Sequence, residues 1–195
     1  MRGFNYKKAV QALNYFAINS GGSLNKMKAI KLIWLSDRYH LRHKGRTITG
    51  DIYFALKFGP VASCTRDILE NNSLSEEELE YKKTYIKPFG KYLYESISEF
   101  NPKVFSIAEV QVLDLMFHTY GHLTEFEISN LSHIFPEWKK YESSLTGQFS
   151  SRFEIDLDLF FLNSDDGFNL FMDNENDLAD MLEYHNEIKS LSESI

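Results

Sequence analysis

Asp37 and His40 stand three residues apart in a stretch with helical apolar spacing, which puts both side chains on one side of a helix. Asp51 follows shortly after, and His133 stands far on in the chain. An Asp–His set of this kind can move protons or hold a divalent ion. It can equally close a buried polar network that fixes how one segment meets another, and the network is the reading adopted. His118 and His122 have the i, i+4 spacing of two metal ligands, but Gly121 between them ends the helix and no Glu flanks His118 as a general base. Cys64 belongs to the first turn of a helix, where the dipole lowers a thiol pKa, yet no base stands near it in sequence, so a structural thiol is expected. There is no phosphate loop, dinucleotide fingerprint, nucleophile elbow or paired-cysteine zinc site. No catalytic residue, metal or cofactor is therefore expected.

These residues must be positioned by helices for the most part. Tyr6, Val10, Leu13, Phe16 and Ala17 give a helix over 4–18, stopped by Gly21-Gly22. Met27, Ile30, Ile33, Trp34 and Tyr39 give a second, from Lys26 to His43, ending at Lys44-Gly45. Residues 46–58 are rich in β-formers and read as a short extended segment or a turn of helix, with Pro60 opening a helix that runs to Asn71. The polar, acidic run 71–79 reads as a loop. Residues 81–97, broken at Pro88-Phe89-Gly90-Lys91, read as a β-hairpin. Ser106 with Glu109 forms a capping box for a helix that Gly121 ends. Thr124 caps a short helix, Pro136 starts another, and the pair at 124–142 has the outline of a helix-turn-helix. Residues 153–162 alternate like a strand, with a buried helix as the other reading, and 174–192 form an acidic amphipathic helix.

Charge divides the chain. Residues 1–66 carry 12 Lys and Arg against two acids, Asp37 and Asp51, whereas residues 154–195 carry 12 acids against Lys189 alone. Such polarity marks a binding surface or two parts that attract one another. A net charge of −7 speaks against a chain held to nucleic acid by phosphate contacts. The lone cysteine fits a reducing compartment. The first residues lack the apolar core of a signal peptide, and no stretch has the ~20 apolar residues of a membrane span, so a cytoplasmic location is expected.

Three blocks in order suggest a family: Lys31-Leu32-Ile33-Trp34-Leu35-Ser36-Asp37-Arg38-Tyr39-His40-Leu41-Arg42, then Gly45-Arg46-Thr47-Ile48-Thr49-Gly50-Asp51, then Ala55-Leu56-Lys57-Phe58-Gly59-Pro60-Val61. With Ser132-His133 and Pro136-Glu137-Trp138 downstream, they resemble the Panacea domain of SocA-like antitoxins and phage-associated GepA-like proteins, over residues 6–142. Trp34 stands where Tyr is commoner, and Ala62-Ser63-Cys64 is less typical.

The residue pattern and the resemblance together lead to a mainly α fold with a small β-hairpin (α+β), a compact multi-helix domain over 1–153, followed by an acidic segment 154–195 that the resemblance does not cover. The resemblance also implies an antitoxin that neutralises a cognate protein toxin, encoded next door, by direct contact. Delivery of that toxin to a cytoplasmic protease is implied as well. The polar framework is expected at Asp37, His40, Thr49, Asp51 and His133. Partner contact is expected from Arg38, Tyr39, Arg42, Arg46, Thr49, Tyr53, Lys57 and Trp138, with the acidic C-terminal helix as a second surface. The rival expectation is a DNA-binding regulator working through 124–142.

Overall fold

A computed structural model describes residues 3–147 and 151–193. The chain is α+β and mainly helical: α1 (Tyr6–Asn19), β1 (Ser23–Asn25), α2 (Lys26–Lys44), β2 (Tyr53–Leu56), β3 (Gly59–Ala62), α3 (Ser63–Glu70), α4 (Glu76–Tyr85), β4 (Ile86–Phe89), β5 (Leu93–Ser96), α5 (Ile107–Tyr120), α6 (Glu125–Ser132), α7 (Pro136–Lys139), α8 (Glu142–Thr146), β6 (Phe153–Glu154) and α9 (Glu175–Glu193). Short 3-10 turns lie at Pro102–Val104 and Leu157–Phe161.

The central element is α2. Asn25 caps it, its side chain accepting from the Met27 and Lys28 amides, and Gly45 ends it in the left-handed region at φ 67. Thirteen of its nineteen residues are buried, including Lys31, Asp37, Arg38 and Arg42, so polar and apolar faces alike are covered by neighbours. Those neighbours are α1, α5, α6, α9, β3 and the 3-10 turn at 157–161. Ala9, Leu13 and Phe16 of α1, Leu32, Trp34 and Leu35 of α2, and Met116 and Phe135 lie in one apolar core.

Two antiparallel three-stranded sheets flank the helices, in strand orders β1-β5-β4 and β3-β2-β6. The β4–β5 hairpin is present but shorter than its sequence suggests. Tyr81–Tyr85 belong to α4, because Ser75 and Glu78 make a capping box inside what reads as a polar loop. Pro60 does not open a helix either. It sits in edge strand β3 opposite Ala55, where the missing N–H costs no ladder bond, and the helix begins at Ser63. Only Tyr53–Leu56 of the 46–58 stretch is strand, and only Phe153–Glu154 of 153–162, where β6 adds to β2. No helix among the described residues is long and apolar enough to cross a membrane.

Candidate functional site

Most polar side chains that α2 buries tie another segment to it; Ser36 alone among them bonds within the helix, to the Leu32 carbonyl. Asp37 faces the turn after the helix. Its Oδ1 accepts from the Ile48 amide at 2.7 Å and the Thr49 amide at 3.0 Å. Its Oδ2 accepts from the Thr49 and Tyr53 hydroxyls. Burial pushes its carboxyl up to about 6, against the pull of those four donors. Asp51 does the same one step further on, accepting from the amides of Ile52, Cys64 and Thr65 and from the Thr65 hydroxyl at 2.6 Å. It thereby caps α3 from outside, with Thr49 Oγ1 accepting from the Asp51 amide at 3.3 Å as the link between the two carboxylates. The Thr49-Gly50-Asp51 turn thus carries its polar groups inward, and Gly50 takes φ 69 to make it.

His40 is buried beside this turn, its Nδ1 2.6 Å from the Arg46 carbonyl, and burial lowers its pKa. His133 lies elsewhere, its ring stacked on Trp138 at 3.9 Å between centroids. Asp37, Thr49 and Asp51 are therefore brought into one bonded set, with Tyr53 as an unanticipated member. His40 joins it only through the chain, and His133 is separate.

The arginines fan out. Arg38 Nε donates to Glu137 Oε1 at 2.9 Å, Trp34 Nε1 donates to the same oxygen, and Arg38 Nη2 donates to the Leu162 carbonyl. Its guanidinium lies between the rings of Phe135 and Phe171, at 4.8 and 4.7 Å. Arg42 makes six bonds to the segment after β6: to the carbonyls of Phe160, Leu162 and Phe171, to Asn163, and twice to Asp173 Oδ2. Arg46, beyond the helix end, reaches Glu109 of α5 at 2.8 Å, a carboxylate that Lys8 of α1 shares at 2.7 Å. Among the described residues the buried Lys31 has one hydrogen-bond partner, the Pro60 carbonyl 2.7 Å away, and burial pulls its pKa well down.

Burial removes much of the expected partner surface. Arg38, Arg42, Thr49, Tyr53 and Trp138 are all interior, because the segments their polar atoms bind lie over them. Tyr39 is half-buried against His43. Of the expected contacts, Lys57 and the Arg46 side chain, 52% exposed, are the ones open to solvent. The residues sequence reasoning missed are acceptors: Glu137, Glu109 and Asp173. Glu109 carried a signal only as a capping-box residue, and Asp173 had none beyond the overall charge contrast.

Chemically, a carboxylate that already accepts from four donors has little left to offer a substrate, and this holds for Asp37, which is fully buried, and for Asp51, which is 5% exposed. Cys64 is half-buried and its thiol is pushed up to about 11, first by burial and then by Asp51. No group of three or more His, Cys, Asp or Glu among the described residues could hold a metal ion, the His118 and His122 region included. The 124–142 pair does not present a recognition helix. The second helix of the pair, α7, has only four residues, and its Glu137 and Trp138 are buried under Arg38 and β2.

These features define a helical domain built round one polar, buried helix. The chain belongs to the SocA-like antitoxin family: the family described as "Antitoxin SocA-like, Panacea domain" matches residues 30–139, more than half of the chain. No curated protein matches it, and no solved structure does. The matched segment opens in α2 and closes at the end of α7, so α1, the strap after β6 and α9 lie outside it while packing on α2.

Proposed function

We propose that this chain is the antitoxin of a toxin–antitoxin pair and neutralises a protein partner by direct contact. The observation that carries the reading is membership of the SocA-like family through the segment that builds α2 and its buried bonds. The burial of Asp37, Asp51 and His40 supports a binding role over an acid–base one. The body, residues 1–153, is the unit that makes contact. The acidic segment 154–195 serves first as an intramolecular cover, since Arg42 and Gly45 of the body hold it.

Co-expression with the neighbouring gene product tests the reading. Restored growth and a co-purifying complex are expected; a toxic neighbour that stays toxic and unbound overturns it. The same experiment separates occlusion from delivery to a cytoplasmic protease, because delivery shortens the partner's half-life and occlusion leaves it unchanged.

A further inference from the structure

We infer that the contact surface for that partner is formed by two hairpin tips and the start of α6, and that it fits a protein face that is acidic and carries apolar pockets. This rests on the antitoxin reading and gives it a location.

Both tips carry the same pair, a lysine followed by an exposed ring. The β2–β3 turn is Lys57-Phe58 and the β4–β5 turn is Gly90-Lys91-Tyr92. Phe58 is 58% exposed, Tyr92 63%, and Phe89 beside it 51%. Each lysine Nζ hovers over the ring that follows it, at 5.9 Å for Lys57 and 5.0 Å for Lys91. Phe126, in the first turn of α6, is 65% exposed. None of these rings is needed by the core, and turn positions ordinarily carry small polar residues.

Bonds connect the three places into one surface. The Lys26 amide donates to the Tyr92 carbonyl at 2.9 Å and Lys26 Nζ donates to the Lys91 carbonyl. Asn25 next to it donates to Glu125, the neighbour of Phe126, at 3.2 Å. One helical turn on, Ser129 donates to the Phe58 carbonyl at 2.9 Å. The path from Tyr92 to Phe58 therefore runs through the N-terminus of α2 and along α6. Four rings more than half exposed offer about 400 Å² of apolar surface, roughly half of what one side of a stable protein interface buries.

Charge selects the occupant. Lys26, Lys57 and Lys91 have no carboxylate within ion-pair distance among the described residues, so their charge is unspent. Interleaved lysines and rings also suit single-stranded nucleic acid. Glu125 and Glu127, however, stand on α6 inside the patch, and a polyphosphate has no cation to set against them. A protein face has both signs to place, so an acidic protein surface is the occupant.

The test uses the full chain and the neighbouring gene product. Affinity is measured for wild type, for Phe58→Ala/Tyr92→Ala/Phe126→Ala, and for Lys26→Glu/Lys57→Glu/Lys91→Glu, with melting temperature as the folding control. The ring variant is expected to lose on the order of 30-fold or more. The charge variant should lose about tenfold, mainly in association rate, with a flatter salt dependence. On the wild-type complex, amide protection should rise at 54–60, 88–93 and 122–130. Unchanged affinity in both folded variants, beside tight wild-type binding, overturns the surface and leaves the antitoxin reading standing. Absent wild-type binding overturns that reading and takes the surface with it. Tight binding of labelled single-stranded DNA or RNA at physiological salt, lost in the same variants, overturns the choice of a protein occupant.

Discussion

Asp37 shows how a buried charge is held in this fold and what that costs. Its folded-state pKa of about 6 lies above the ~3.9 of an unfolded aspartate. As pH falls, the native chain therefore takes up this proton before the unfolded chain does. The contribution of Asp37 to stability accordingly grows as pH drops from about 7 to about 3 and is flat below. A separation of about two units is worth about 3 kcal/mol. Asp37→Asn keeps an acceptor for the Ile48 and Thr49 amides and lets both hydroxyls turn round, so it is expected to fold. Denaturant melts should show the stability difference between wild type and this variant moving by about 3 kcal/mol in favour of wild type from pH 7 to pH 3. Asp37→Ala strands two buried amides and two hydroxyls and should cost about 3 kcal/mol or more at any pH. Lys31 behaves with the opposite sign. Burial favours its neutral form, so the native chain binds fewer protons than the unfolded one, and wild-type stability gains as pH rises toward about 10. Thermal melts of Lys31→Met against wild type should therefore converge as pH rises from 6 to 9; a gap that does not change with pH would show that Lys31 is charged in the fold. Gly59 closes this corner. It has φ +96, and a Cβ there would fall 1.9 Å from Ser132 Oγ and 2.5 Å from Lys31 Nζ, so Gly59→Ala should cost about 3 kcal/mol, part of it recovered by adding Ser132→Ala.

At the scale of elements, the decisive joint is Arg42 with the strap from Ile155 to Asp173. One guanidinium satisfies three carbonyls, one amide oxygen and one carboxylate. A lysine offers one ammonium in place of that planar fork. Arg42→Lys is therefore expected to destabilise by about 3 kcal/mol, with amide protection lost first over 155–185 while α1 and α5 keep theirs. That joint was illegible in the sequence. Arg42 shows a charge at a helical position, and nothing local says it is interior or names Asp173, 131 residues on, as its partner. The helices were legible because their signals are local: Asn25 and Gly45 bound α2, Ser106 with Glu109 opens α5, and Thr124 opens α6. The failures were contests between local signals. Tyr81 and Tyr85 are good strand formers, yet their i, i+4 spacing brings the rings to 5.0 Å on α4 once Ser75 and Glu78 have started the helix. Pro60 is a good first helical residue, yet the pairing of Tyr53–Leu56 with Gly59–Ala62 claims it for an edge. Of the candidate site, the Asp37–Thr49–Asp51 contact was readable as a motif. The tip pairs Lys57-Phe58 and Lys91-Tyr92 were not, because only the fold brings residues 34 positions apart to one surface.

The whole molecule carries its two charged regions at opposite ends of α2. The lysine-and-ring surface touches the N-terminus of α2 at Asn25 and Lys26, whereas α9 covers its C-terminus, with His185 Nδ1 2.8 Å from the Gly45 carbonyl and Tyr184 and Met181 over the same glycine. Nineteen residues of helix separate these ends by about 30 Å, beyond the ~8 Å reach of unscreened charge at physiological salt. The two regions can therefore be cut apart. Removing residues 165–195 is a poor way to ask whether the acidic segment meets the partner, since it takes away Phe171 and Asp173 and so the cover of Arg38 and Arg42. That deletion is expected to lose cooperative unfolding, not merely a contact. Removing 175–195 leaves the strap bonded and uncovers chiefly the Gly45 corner and Leu178's pocket. Calorimetry of this shorter chain should show a single transition lowered by several degrees, on the scale of the few kcal/mol that burying a few apolar side chains contributes. Its affinity for the neutralised partner should stay within about threefold of wild type, as expected for a change remote from the contact. A folded 1–174 chain that no longer binds would move the contact to α9 and make the acidic helix, not the basic tips, the face that the partner reads.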